Sequence, residues 1–171
     1  MGGTVTADPA APDGPATVWR AGARLGIDWG RARIGVAACD PAGVLAYPVE
    51  TVANDDGALA RLAALAREYE ATEFVLGWPA DLRGRVGPAA HAMLDVAGRL
   101  AREAGIPVRL LDERLTTAIA ARHLTAAGRA GRGRRAIIDQ VAAVVILEQA
   151  LDLERRTGEP AGSVVSPGEE S

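Results

Sequence analysis

The sequence predicts a mixed α/β domain: a three-strand antiparallel meander opens a five-stranded sheet, and helices flank it. Two observations predict this. Apolar runs between residues 24 and 51 are separated by tight-turn signals, the pattern of consecutive antiparallel strands. Beyond residue 55 the apolar spacing becomes helical, and helical stretches then alternate with short strand-like runs. Helical crossovers return the chain in the same direction, so the two later strands should lie parallel to the first.

The elements follow in order. Residues 1–22 are rich in Ala, Pro, Gly and Asp, lack periodicity, and read as a disordered tail. Arg24–Asp28 is the first strand. Gly30 to Arg33 makes a tight turn, and Ile34–Ala38 returns as the second strand. Asp40-Pro41-Ala42-Gly43 is a turn signal. Val44–Thr51 is the third strand, and Pro48 marks it as an edge, since proline cannot donate to a sheet ladder. Leu59, Leu62, Ala63, Ala66 and Tyr69 recur at helical spacing, with Asn54 or Asp55 placed to cap the helix. Glu73–Gly77 is a short buried strand. Pro88–Ala104 is a helix with Met93, Val96, Ala97 and Leu100 on one face, closed by Gly105. Pro107–Leu111 is a strand. Thr116 or Thr117 caps a helix running to about Ala127, the stretch from Gly128 to Gly133 breaks it, and a last helix runs from about Ala136 to Arg155. From Thr157 the composition returns to that of the N-terminus. The domain is therefore expected at 23–156, between tails at 1–22 and 157–171.

Composition excludes several chemistries. The 171 residues are 49% apolar, enough for one core. No apolar run approaches the ~20 residues that span a bilayer, so no membrane partner is expected. Residues 1–19 have neither the basic nor the apolar region of a secretory signal. Cys39 is the only cysteine, which rules out an internal disulfide and a cysteine-rich zinc site and fits a reducing cytoplasm. The serines are Ser163, Ser166 and Ser171, all in the tail, so a serine hydrolase has no nucleophile in the domain. All 19 basic residues are arginine; without lysine there is no Schiff base and no Walker-type phosphate loop.

The net charge of −3 hides an asymmetry. Asp8, Asp13, Glu159, Glu169 and Glu170 sit in ends that hold no base, and every arginine lies between them. The basic excess is sharpest from Arg122 to Arg135, with Arg129, Arg132, Arg134 and Arg135 and no acid. That stretch is either a solvated loop or a phosphate-binding patch.

Against this background acids at three places stand out. Asp28 ends the first strand. Asp112 and Glu113 end a later one, and alternation allows only one of the two to face a common site. Asp139 opens a helix that is apolar almost all round, and its neighbours three, four and seven residues on are Ala142, Ala143 and Ile146. A desolvated carboxylate is costly unless something positive meets it. Sites gather at the C-terminal ends of parallel strands, where two of these acids fall. Three converging carboxylates would suit a divalent metal that activates water. Alternatively, Asp28 caps the hairpin turn, and Asp139 merely complements a helix N-terminus.

The segments GIDWGRARIGVA at 26–37, VLGWP at 75–79 with Gly84, LDERLTT at 111–117 and IDQVAAVVILE at 138–148 resemble the YqgF/RuvX family over roughly residues 24–152. Its members are RNase H-like proteins described as Holliday-junction resolvases and as pre-16S rRNA nucleases. The resemblance implies an RNase H-like fold and a carboxylate cluster of Asp28, Glu113 and Asp139, choosing Glu113 over Asp112. It implies one or two Mg²⁺ or Mn²⁺ ions and phosphodiester hydrolysis, most directly of 16S rRNA precursor ends, on or off the ribosome, with structured DNA as an alternative substrate. Family members often carry G-L-P-x-N-x-D-G in the glycine-proline loop; here Trp78, Asp81 and Arg83 stand in the leucine, asparagine and aspartate places, so substrate contacts there should differ. Arg31, Arg33, Arg129, Arg132, Arg134 and Arg135 are candidates for gripping the nucleic-acid backbone. A non-catalytic RNA-binding scaffold and an actin-like nucleotide-binding module are the rival readings; the second needs two such domains, and the length supplies one. A DNA junction would favour a homodimer, whereas RNA processing would not exclude a monomer.

Overall fold

The computed structural model describes residues 19–78, 87–112 and 132–168. Nine elements lie within them: β1 Ala23–Trp29, β2 Arg33–Cys39, β3 Ala46–Ala53, α1 Ala58–Glu68, β4 Ala71–Trp78, α2 Pro88–Ala104, β5 Val108–Asp112, α3 Arg132–Thr157 and β6 Ser163–Val165. The helix expected near 116–127 falls outside the described residues.

The sheet order is β3-β2-β1-β4-β5-β6. β1, β2 and β3 pair antiparallel, and β4 and β5 run parallel to β1, as predicted. β3 is an edge, as Pro48 suggested. β6 is an addition: residues 157–171 read as a tail from composition, yet Ser163–Val165 pairs with β5 and Ala161 is buried. Three residues of strand are too short for a periodicity signal. Contacts at the other end begin at Trp19 and Arg20, before the expected boundary.

Strand alternation sorts the side chains into two layers. Leu25, Ile27, Ile34, Val36, Phe74, Leu76, Val108 and Leu110 face α1 and α2. Ala37, Cys39, Val75 and Leu111 face α3 through Ala143, Ile146, Leu147 and Ala150. α3 lies close to the sheet because the strands present glycine there. A Cβ on Gly26 would sit 2.7 Å from both the Ala143 carbonyl oxygen and Leu147 Cβ.

Two helix starts differ from expectation. α1 is capped by Gly57; Asp55 instead accepts the Gly57 N–H at 2.9 Å, and Asn54 Nδ2 donates to the Gly30 carbonyl at 2.7 Å. An aspartate-led turn precedes the helix and uses up the expected cap. α3 starts at Arg132 rather than Ala136, so the glycine-arginine stretch yields to helix sooner than glycine's propensity suggested. By contrast α2 has the expected bounds, and Gly105 closes it with φ 71 and an N–H donated to the Ala101 carbonyl. Within α2, Gly98 has room: an added Cβ would meet only Arg102 Nη1, at 3.5 Å. Gly98→Ala should therefore stabilise the protein by about 0.5–1 kcal/mol in urea denaturation, because alanine loses less backbone entropy in a helix.

Candidate functional site

Cross-strand register builds the site. Asp28 pairs with Gly35, and Gly35 pairs with Thr51, so these three residues form one row across β1, β2 and β3. Paired residues project to the same side of a sheet. Gly35 identifies that side: an added Cβ would lie 1.9 Å from the Asp139 carbonyl oxygen. Asp28, only 3% exposed, therefore projects toward the layer in which α3 carries Asp139.

Thr51 fixes the height of α3 over the row. Its hydroxyl donates to the Ala136 carbonyl at 2.7 Å and accepts from Gln140 Nε2 at 3.1 Å. Ala142, Ala143 and Ile146 are fully buried, as their spacing from Asp139 predicted. Gly35→Ala should force α3 outward at Asp139. We expect a loss of about 1–3 kcal/mol in denaturant unfolding, the usual cost of overpacking, together with loss of whatever activity needs both acids.

The structure bears on the two alternative readings of these acids. Asp139 lies about two turns inside α3, beyond the reach of the helix-terminal dipole. The β1–β2 turn closes through the Gly30 N–H on the Arg33 carbonyl at 3.0 Å and through Asn54, while Asp28 sits within the strand ladder. Asp112 ends β5 in register with Trp78. Leu111 faces α3 and Leu110 faces the opposite layer, so alternation turns Asp112 away from Asp28 and Asp139. Glu113 lies outside the described residues, as does Arg129. Among the described residues, no three His, Cys, Asp or Glu side chains gather as a metal site.

Positive charge borders the two acids. Arg33 Nε donates to Asp139 Oδ2 at 2.9 Å. Arg31 is exposed in the adjoining turn, and Arg134 and Arg135 are exposed in the first turn of α3, at the same end of the sheet. The side chain of Arg132 is outside the described residues. Trp29, next to the first acid, takes the other face of the sheet. There it lines a cavity of about 430 Å³ with Asn54, Asp55, Asp56 and Arg99, whose carboxylates make a poor seat for phosphate.

The opposite end of the α3–sheet interface holds a group that sequence reasoning missed. Arg24 and Glu73 pair in register on β1 and β4, and Arg109 Nε reaches Glu73 at 3.2 Å. Glu154 of α3 meets Arg24 at 3.1 Å and Arg20 at 2.8 Å. Trp19 covers the group, with the Arg24 guanidinium 4.2 Å from its ring centre. Burial pushes the Glu154 carboxyl up, but the hydrogen bond from Arg20 and the charges of Arg24, Arg20 and Arg109 outweigh it and hold the carboxyl below its ordinary value. The available signal was parity: Arg24, Glu73 and Arg109 occupy the same side of their strands as Asp28.

Residues 22–153 match the RuvX family, described as Holliday junction resolvase. The chain belongs to the RuvX family. Its sheet has the mixed arrangement expected from the sequence, three antiparallel strands with β4 and β5 parallel to β1. The chain is 53% identical over 154 residues to a Thermobifida fusca protein named as a candidate pre-16S rRNA nuclease, covering 85% of this chain and 97% of that one. Similarly named proteins from a Nocardioides species and from Streptomyces coelicolor are 54% identical over 152 residues and 50% identical over 156. The first alignment covers 85% of this chain and 97% of the Nocardioides one, the second 90% and 92%. Among solved structures, Thermus thermophilus RuvC in complex with a Holliday junction substrate is similar with a TM-score of 0.49 and 18% identity, over 81% of this chain and 98% of that one. No helix among the described residues is long and apolar enough to cross a membrane.

Proposed function

We propose that this RuvX-family protein is a metal-dependent nuclease that hydrolyses RNA phosphodiester bonds, acting in the cytoplasm on the ends of the 16S rRNA precursor. The observation that carries the reading is the Asp28–Gly35–Thr51 row, which turns a buried carboxylate toward the layer holding Asp139, with arginines at the rim. The donor set fits the group it would hold. Carboxylate oxygens suit Mg²⁺ or Mn²⁺, and a cationic guanidinium already rests against Asp139. Asp28, Asp139 and Glu113 would be the ligands. Strand parity favours Glu113 over Asp112, because Arg109 and Leu111 take the α3 side and 113 is the next position of that parity.

Once bound, such an ion supplies an activated water and offsets charge on the leaving oxygen. The chain's own residues do the rest. Gly35 and Thr51 hold the α3 backbone so that Asp139 keeps its place. Arg31, Arg33, Arg134 and Arg135, with Arg129 and Arg132, would bind backbone phosphates and orient the strand. Phosphate contacts position a substrate without specifying it, so RNA is preferred on the names of the relatives.

The test is cleavage by the purified protein of 16S precursor ends, plain single-stranded RNA and a four-way DNA junction, each with Mg²⁺, Mn²⁺ or EDTA. Precursor RNA cut fastest, and only with metal, is the expected result. A junction cut faster would make the protein a resolvase. RNA bound but uncut under every condition would make it a scaffold. Gel filtration beside the assay separates a monomer from a homodimer.

A further inference from the structure

The geometry points to Arg33 as a displaceable counter-charge. It neutralises Asp139 before a divalent cation is bound, and it turns to the substrate phosphate once the carboxylate is taken. This rests on the metal-dependent reading above.

The pair is built to part. Arg33 touches Asp139 through Nε alone, and its two terminal amino groups make no hydrogen bond or ion pair among the described residues. Other arginines are held otherwise: Arg61 grips Glu50 with two nitrogens, and Arg20 engages both Glu73 and Glu154. The Arg33 side chain is 37% exposed, against 16% for Asp139, so the cation is the solvent-facing partner. Such a pair holds weakly, because water screens it and a long side chain must be immobilised. Asp139 itself cannot withdraw. Its carbonyl rests on Gly35, and Thr51 pins the preceding turn. The flexible member is the arginine stem at the start of β2, beside the exposed turn that carries Arg31. A guanidinium released there keeps the fork of donors that matches a phosphate.

Competition predicts opposite signs for metal and substrate. Calorimetric titration of Mn²⁺ into the full chain should show Arg33→Met binding about two- to fivefold more tightly than wild type, the factor a partly exposed ion pair is worth. Arg33→Lys, which keeps the charge, should stay near wild type and shows that the effect is not one of folding. At saturating Mn²⁺, Arg33→Met should show a raised KM for single-stranded RNA. Unchanged or weaker Mn²⁺ binding by Arg33→Met would overturn the inference, and would mean that Arg33 helps to hold Asp139 for the ion. Wild type that binds no Mn²⁺, or Asp139→Asn that binds it as well as wild type, would instead overturn the metal-site reading together with this inference.

Discussion

Asp139→Asn is expected to lower metal-dependent RNA cleavage by about 10²–10³-fold while the protein stays folded. The substitution removes one charge and hardly any volume. The backbone at 139 keeps its contact with Gly35, and Thr51 keeps its hydrogen bond to Ala136. What disappears is a hard anionic ligand, and electrostatic stabilisation of a phosphoryl transition state by a held cation is worth several kcal/mol. Stability should change little, because the lost partner, Arg33, is 37% exposed and water can replace the carboxylate. The informative experiment pairs single-turnover cleavage with a urea melt. Cleavage at the wild-type rate by the folded variant would move the chemistry away from this row. An unfolded variant would show that Asp139 holds the structure together instead.

Glu154→Gln is expected to cost about 3–5 kcal/mol of stability without touching the site, the usual penalty when one partner of a buried ion pair is removed. Arg24 is 2% exposed and lies between Glu154 and Glu73. With Glu154 neutral, Glu73 alone faces Arg20, Arg24 and Arg109. The pH dependence gives a second, independent check. The folded Glu154 carboxyl titrates below its ordinary value of 4.5, so its contribution is whole above that pH and is lost as pH falls through the depressed folded value. The gap between wild type and Glu154→Gln should therefore be full at neutral pH and close on acidification. A gap that stays constant down to acid pH would mean that Glu154 acts by packing rather than by charge.

The two groups explain why α3 is the element that decides this protein. Its 26 residues lie over the sheet with Asp139 near one end and Glu154 near the other. The buried ions anchor the far end. Gly26, Gly35 and Thr51 set the spacing along the way, and the acid is delivered at the near end. Nothing in that arrangement requires α3 to be stable on its own; it is held by close contact with strands that carry glycine where the helix backbone passes.

Much of this was legible along the chain. Alternation and helical spacing depend only on neighbours a few residues apart, so the strands, α2 with its glycine stop, and the buried side of Asp139 could all be read directly. The acids were conspicuous because a charge at the end of an apolar run is locally anomalous. Less legible were the helix starts, where Asp55 serves a turn instead of a cap and α3 begins a turn early. Those outcomes depend on competition between weak local preferences. β6 was illegible because a three-residue strand has no period to detect, and its pairing with β5 comes from the sheet edge rather than from its own composition.

The sequence by itself therefore determined the order of α1, α2, α3 and β1 to β5, the directions of those strands, the family, and the identity of the acids worth testing, because each of these is written in local pattern or in motif. Only the tertiary structure decided that Asp28, Gly35 and Thr51 share a row beneath Asp139, that Asp112 turns the other way, that Arg33 is the cation resting on the site, and that Arg20, Arg24, Glu73, Arg109 and Glu154 form a buried network. Those are facts about which residues far apart in the chain come within a few ångströms. They follow from strand register and from how closely a helix can approach glycine, and neither is visible until the sheet is assembled.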